Sequence, residues 1–100
     1  MSIEDPILTP LTLEEYQALG VDERLARGAA AERSRRRWRE SAACRELSAP
    51  IYAGTAACAE CDGRERLTLD HITPLVRGGT HLPTNIRILC GSCNSRKKHH

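Results

Sequence analysis

The sequence predicts an α+β fold in two unlike parts: a basic helical segment, then a small unit of two strands and a short helix tied together by a bound metal. Three observations carry this. Four cysteines fall into two C-x-x-C pairs, Cys58/Cys61 and Cys90/Cys93, spaced as C-x2-C-x28-C-x2-C. Between the pairs, Arg66-Leu67-Thr68-Leu69-Asp70 and Ile86-Arg87-Ile88-Leu89 alternate apolar with polar residues, as half-buried strands do. Upstream, the stretch from Asp22 to about Glu46 is rich in Ala, Arg and Glu, which are good helix formers. Among 100 residues there is no Phe, one Trp and two Tyr, and the mean hydropathy is −0.46. A chain this short and this poor in large apolar side chains needs a staple, a metal or disulfides, to hold one domain together.

Residues 1–11 hold two prolines and little pattern, and read as a flexible leader. The helical basic segment spans 12–49. Thr12-Leu13-Glu14-Glu15 fits a capping box, with a Thr hydroxyl at the N-cap and a Glu three residues on reaching back. A short helix is expected from there to Leu19, stopped by Gly20. Asp22 then caps a longer helix to about Glu46, with Leu25, Ala29, Trp38, Ala42 and Leu47 as its weak apolar face and Pro50 as its terminator. From 50 to 100 the order is cysteine knuckle, strand, long loop marked by Pro74 and Gly78-Gly79, strand, second knuckle and a short final helix.

The net charge of +2 hides an asymmetry. Residues 1–23 carry six acids and no Lys or Arg, whereas all fifteen basic residues lie in 24–100 against seven acids. A basic working part suits a polyanion. Its densest run is Arg33-Ser34-Arg35-Arg36-Arg37-Trp38-Arg39. On a helix these arginines surround the axis. One reading makes Arg35, Arg36 and Arg37 a phosphate-contacting arm, with Trp38 packed inward or stacked on a base. The other makes them a solvated face paired with Glu32 and Glu40. The acidic start has no apolar signal region, and no run is long enough to span a membrane. A cytoplasmic protein is expected, where thiols stay reduced and paired cysteines favour metal over disulfide.

Two residues between cysteines let one tight turn aim both sulfurs at one ion, so Cys58, Cys61, Cys90 and Cys93 form a closed four-thiolate zinc site. Such a site is structural, because no position is left for water. Cys44 is the odd one out and reads as a small helix residue. Inside the zinc bracket, a carboxylate and an imidazole stand side by side at a strand end, Asp70-His71, and a Gly-Gly turn follows. An amide, Asn94, directly follows the last cysteine. Asp plus Asn oxygens suit a hard cation, Mg2+ or Mn2+, which keeps several waters and engages phosphate. His81, in the loop, reads as exposed.

The stretch from Cys58 to Lys97 resembles the HNH endonuclease motif: D-H-I-x-P at Asp70 to Pro74, then Gly78-Gly79, then Asn85, then L-C-x-x-C-N-x-x-K from Leu89 to Lys97. The resemblance implies a ββα-metal (His-Me finger) core, in which two antiparallel strands and a helix grip one divalent ion and hydrolyse DNA phosphodiesters, either nicking or cutting both strands. It implies His71 as general base, Asp70 and Asn94 as ligands of the catalytic ion, and Asn85 as the brace that orients the imidazole. Arg96, Lys97 and Lys98 become candidate phosphate contacts, and the implied products are a 5′-phosphate and a 3′-hydroxyl. The compact size resembles bacteriophage HNH proteins, which would put the chain in a host cytoplasm. Asn94 stands where other members carry His. Its helix is expected to be about two turns long, so its position depends on the zinc. Asp70 and His71 would point to opposite faces of a regular strand, and can serve one phosphate only if the strand ends or twists there. Two other readings share the zinc and the basic surface: a non-catalytic zinc-ribbon module that binds nucleic acid, and an accessory subunit docking a larger protein such as a phage packaging complex.

Overall fold

A computed structural model describes residues 8–97. The elements run α1 (Leu13–Gln17), α2 (Val21–Arg39), α3 (Ala42–Ala53), β1 (Thr68–His71), β2 (Ile86–Leu89) and α4 (Gly91–Lys97), with single 3-10 turns at Leu75–Arg77 and Pro83–Asn85. No helix of the described residues is long and apolar enough to cross a membrane.

The capping box starts α1 as expected. Thr12 accepts from the Glu15 backbone N–H at 3.1 Å, and Glu15 returns the bond to the Thr12 N–H at 2.8 Å. The long helix differs from expectation. It begins on Gly20 as N-cap, and it is divided at Glu40-Ser41. Ser41 takes the Cys44 N–H at 3.1 Å and so opens a separate α3. A continuous run of good helix formers hides such a break, and the one visible sign is a Ser followed by two alanines. Pro50 does not terminate the helix either. It lies inside α3, near its C-terminal end; the helix runs three residues further and stops at Gly54, which is left-handed at φ +76°. α3 therefore crosses residue 50, the expected start of the C-terminal segment.

β1 and β2 pair antiparallel, with Thr68 opposite Leu89, Asp70 opposite Arg87 and His71 opposite Ile86. Leu89 is fully buried and packs with Cys58, Cys90, Cys93 and the partly buried Leu67. This small cluster is the core of the C-terminal part, and three of its members are thiols.

The N-terminal helices do not stand apart from it. The buried residues of α2 are Arg27, Ala30, Ala31, Ser34 and Trp38, an i, i+3/i+4 stripe that includes a charge and a hydroxyl. Leu25, expected on the inner face, is 68% exposed. The stripe is polar because it packs on loop backbone. Arg27 Nε donates to the Val76 carbonyl at 2.7 Å, its Nη2 donates to the Thr9 carbonyl, and the Leu11 N–H bonds the Arg77 carbonyl at 2.9 Å. Counting apolar residues at helical spacing cannot find a face whose job is to satisfy carbonyls.

The Gly-Gly turn is required by this packing. Gly78 sits at φ +89°, and a Cβ there would come within 2.6 Å of the Pro10 Cα. A Cβ on Gly79 would come within 1.9 Å of the Thr73 carbonyl oxygen.

Candidate functional site

Two knuckles bring the four cysteines together. In the first, the Asp62 N–H bonds the Cys58 carbonyl at 2.9 Å and the Cys58 N–H bonds the Gly63 carbonyl at 2.7 Å, with Asp62 at φ +63°. The Ala59 N–H then bonds the Ile88 carbonyl at 2.9 Å and anchors the turn to β2. The second knuckle is the start of α4. The ligand atoms of Cys58, Cys61, Cys90 and Cys93 all lie within 4.8 Å of one another. Cys61 Sγ and Cys90 Sγ are 3.7 Å apart, close to the roughly 3.8 Å edge of a tetrahedron with Zn–S bonds of about 2.3 Å. The donor set and its spacing fit zinc. Cys44 lies elsewhere, in the first turn of α3, outside the cluster.

Beside this centre, Asp70, His71, Asn94 and Lys97 line one cleft of about 780 Å3, with Arg35 and Arg39 of α2 and Tyr16 of α1 on its walls. Asp70 and His71 are both paired within β1, yet both line this cleft, His71 as the last residue of the strand. Asp70 is buried and strongly engaged. Lys97 Nζ lies 3.0 and 2.8 Å from its two oxygens and also donates to the His71 carbonyl, while Arg87 Nε lies 3.3 Å away. A carboxylate and a carbonyl that jointly hold an ammonium form a position that accepts a cation. Asn94 reaches the cleft from α4, where its N–H bonds the Cys90 carbonyl at 3.0 Å, so the zinc ligand and the amide share one helical turn.

Asn85 uses its whole amide on the loop. Oδ1 accepts from the Thr73 N–H at 2.9 Å, and Nδ2 donates to the Thr73 carbonyl at 3.1 Å and the Thr80 carbonyl at 2.8 Å. Its own carbonyl takes the Ile72 N–H at 2.8 Å. One side chain therefore joins Thr73 and Thr80 at the foot of β2, and the backbone bond to Ile72 ties Asn85 to the residue after His71. It does so without touching the imidazole.

Asp70, His71 and Asn94 thus share one cleft in a frame of two strands and a helix. Residues 58–100 match the family model for the HNH endonuclease. The chain thus carries an HNH domain with a four-cysteine cluster for metal, preceded by helices outside the matched region. No curated protein matches the chain.

Within the HNH domain, His71 has company that sequence reasoning missed. Its Nε2 lies 2.9 Å from His81 Nδ1, and His81 Nε2 lies 2.7 Å from Ser34 Oγ in α2. His81 is not exposed, as expected, but only 5% accessible. Trp38 stacks on His81, with rings 4° from parallel and centroids 5.1 Å apart, and meets His71 edge-on at 4.9 Å. Burial above all, then the nearby His81 and Arg35, pushes His71 down to about 4, against an opposing pull from Asp70. The ring is neutral at neutral pH and able to accept a proton. Burial, then Arg35 and Arg37, lowers His81 as well. The signal for this cluster was thin: one His in a loop and one Ser inside an arginine run, 47 residues apart.

The basic candidates separate. Arg35 lines the cleft and pairs with Glu32 at 2.8 Å, whereas Arg36 and Arg37 are exposed and outside it. Arg39, one turn after Arg35, also lines the cleft. Arg96 Nη2 lies 2.9 Å from Cys93 Sγ, where its charge would offset thiolate charge once zinc is bound. Lys97 sits on Asp70. Lys98 lies outside the described residues.

Proposed function

We propose that the chain is a divalent-cation-dependent endonuclease that hydrolyses DNA phosphodiester bonds, with His71 as general base. The observation that carries the reading is the convergence of Asp70, His71 and Asn94 on one cleft, from the end of β1 and from α4. A module that only bound nucleic acid would gain nothing from a buried carboxylate, a neutral imidazole and an amide facing the same space. Asp70 and Asn94 would hold Mg2+ or Mn2+, which supplies Lewis-acid stabilisation of charge on the scissile phosphate and the leaving oxygen. His71, kept neutral by burial, takes the proton of the attacking water. Asn85 joins Thr73 and Thr80 and takes the Ile72 N–H next to His71, so the loop that follows the base keeps its place. Arg35 and Arg39 line the same cleft and would meet backbone phosphates there, whereas Lys97 is engaged by Asp70.

The test is cleavage of supercoiled plasmid by zinc-loaded protein with Mg2+ or Mn2+, comparing the parent with His71→Ala. Loss of about 10²- to 10⁴-fold is expected, the usual contribution of a general base. Equal rates would leave a zinc-held nucleic-acid-binding module without turnover. Cleavage seen only after a second protein is added would favour the accessory-subunit reading.

A further inference from the structure

The contact between His71 and His81 constrains more than position. Two neutral imidazoles joined by a hydrogen bond must adopt complementary tautomers, one ring donating and the other accepting. With Ser34 as the third member, two arrangements satisfy the chain of contacts. In the first, His71 Nε2–H donates to His81 Nδ1, and His81 Nε2–H donates to Ser34 Oγ. His71 Nδ1 then keeps its lone pair. In the second, every bond reverses: the Ser34 hydroxyl donates to His81 Nε2, and His81 Nδ1–H donates to His71 Nε2. The remaining proton of His71 is then on Nδ1, its Nε2 lone pair is engaged by His81, and no lone pair is left to take a proton from a water in the cleft.

Among the described residues, His71 Nδ1 has no hydrogen-bond partner, and the only buried side-chain nitrogen or oxygen without one is Trp38 Nε1. Nδ1 is therefore the accessible nitrogen of a residue that lines the cleft. His81 has little freedom to respond to the cleft. It is buried, stacked flat on Trp38, and carried by a loop whose Thr80 carbonyl is held by Asn85.

We propose that His81 is a positioning residue for the base: backed by Ser34 and Trp38, it accepts the Nε2 proton of His71 and leaves the Nδ1 lone pair for the attacking water. This rests on the reading of His71 as general base, since only the first arrangement leaves it one. It also gives α2, outside the region matched to the HNH family, a part in the reaction: Ser34 and Trp38 hold the residue that sets the tautomer.

The test uses the zinc-loaded full chain and two substitutions. His81→Phe keeps a flat ring against Trp38 and removes the acceptor. His81→Asn restores an acceptor near the place of Nδ1. Long-range ¹H–¹⁵N NMR near neutral pH should find His71 as the Nε2–H tautomer in the parent and in His81→Asn, and shifted towards Nδ1–H in His81→Phe. Single-turnover cleavage at saturating DNA should fall about 100-fold in His81→Phe, at the lower end of a general base's contribution. DNA affinity should not change, and His81→Asn should recover most of the rate. An Nδ1–H tautomer for His71 in the parent overturns the proposal. So does a His81→Phe protein that cleaves at the parental rate, or a folded His81→Asn protein no faster than His81→Phe. Should His81→Phe fail to fold, the parental tautomer and His81→Asn still decide. A parent that never cleaves would overturn the endonuclease reading, while the tautomer would separately report whether His81 accepts.

Discussion

The two ends of the HNH domain are held by different means. At the zinc end, Cys58, Leu89, Cys90 and Cys93 form a cluster whose members come from two knuckles and the strand between them. Its order is local: each knuckle is a turn of a few residues, and one ion held by the four sulfurs would join them. At the cleft end, His71 is enclosed by Trp38 and His81, His81 is bonded to Ser34, and the loop is tied to α2 through Arg27. Here the order is long-range and polar, made by side chains 47 to 49 residues apart in the chain. The first end is a motif. The second is an assembly that needs the helices preceding it, so the residues matching the family do not contain everything that builds the cleft.

The sharpest way to break this comparison is to remove the zinc. Zinc-binding free energy in small domains of this kind is of order 10 kcal/mol, and much of it is folding free energy. Cys90→Ser, or exhaustive chelation, is expected to abolish cooperative melting of the whole chain. Circular dichroism and the near-ultraviolet signal of Trp38 would report it. A Cys90→Ser protein that melts cooperatively with no bound zinc would mean that the α2 assembly stands alone, and that the metal is dispensable for the fold.

Trp38→Ala attacks the other end. Truncating a buried Trp costs about 3–5 kcal/mol, because the cavity left behind collapses only partly. The substitution should lower stability by that amount and reduce cleavage, since both imidazoles lose the surface they lie against. It should leave the thiolate cluster loaded. Co2+ substitution provides the check, through the absorption of cobalt–thiolate bonds. Release of the metal by Trp38→Ala would show that the two ends melt as one unit and that the comparison above draws no real boundary.

The same contrast explains what the sequence made legible. The cysteine spacing, both strands, the Thr12 capping box and the Asp70-His71 pair all express themselves within a few residues, through periodicity or turn geometry. Asn85 fits the same pattern, because its three side-chain bonds reach residues no more than 12 positions away. Ser34, His81 and Arg27 do not. Their roles depend on a polar helix face meeting loop carbonyls and a loop histidine, and no hydrophobic period marks such a face. The stripe expected from Leu25 and Ala29 follows apolar content, whereas the observed one at Arg27, Ala30, Ala31, Ser34 and Trp38 follows hydrogen-bond demand. Pro50 misled for a related reason. Proline lacks the N–H that would bond the carbonyl four residues back, so α3 forgoes one bond, to Glu46, and still continues three residues to Gly54.

The mildest test turns on two faces of one helix. Arg35 and Arg39 are one turn apart and line the cleft with Asp70 and His71, while Arg36 and Arg37 are exposed outside it. If DNA enters the cleft, only the first pair neutralises phosphates. Each phosphate contact contributes about 0.9 to the slope of log K against log salt, so Arg35→Ala with Arg39→Ala should flatten that slope by nearly 2. Arg36→Ala with Arg37→Ala should leave it near the parental value, although the net charge changes equally. Fluorescence anisotropy across a salt series separates the two, and a catalytically silent His71→Ala background prevents turnover during the titration. Equal flattening by both pairs would mean that the whole arginine run acts as a diffuse cationic collar. A larger effect from Arg36 and Arg37 would put the duplex on the outer side of α2, and the route from DNA to His71 would then have to pass around the helix end at Glu40.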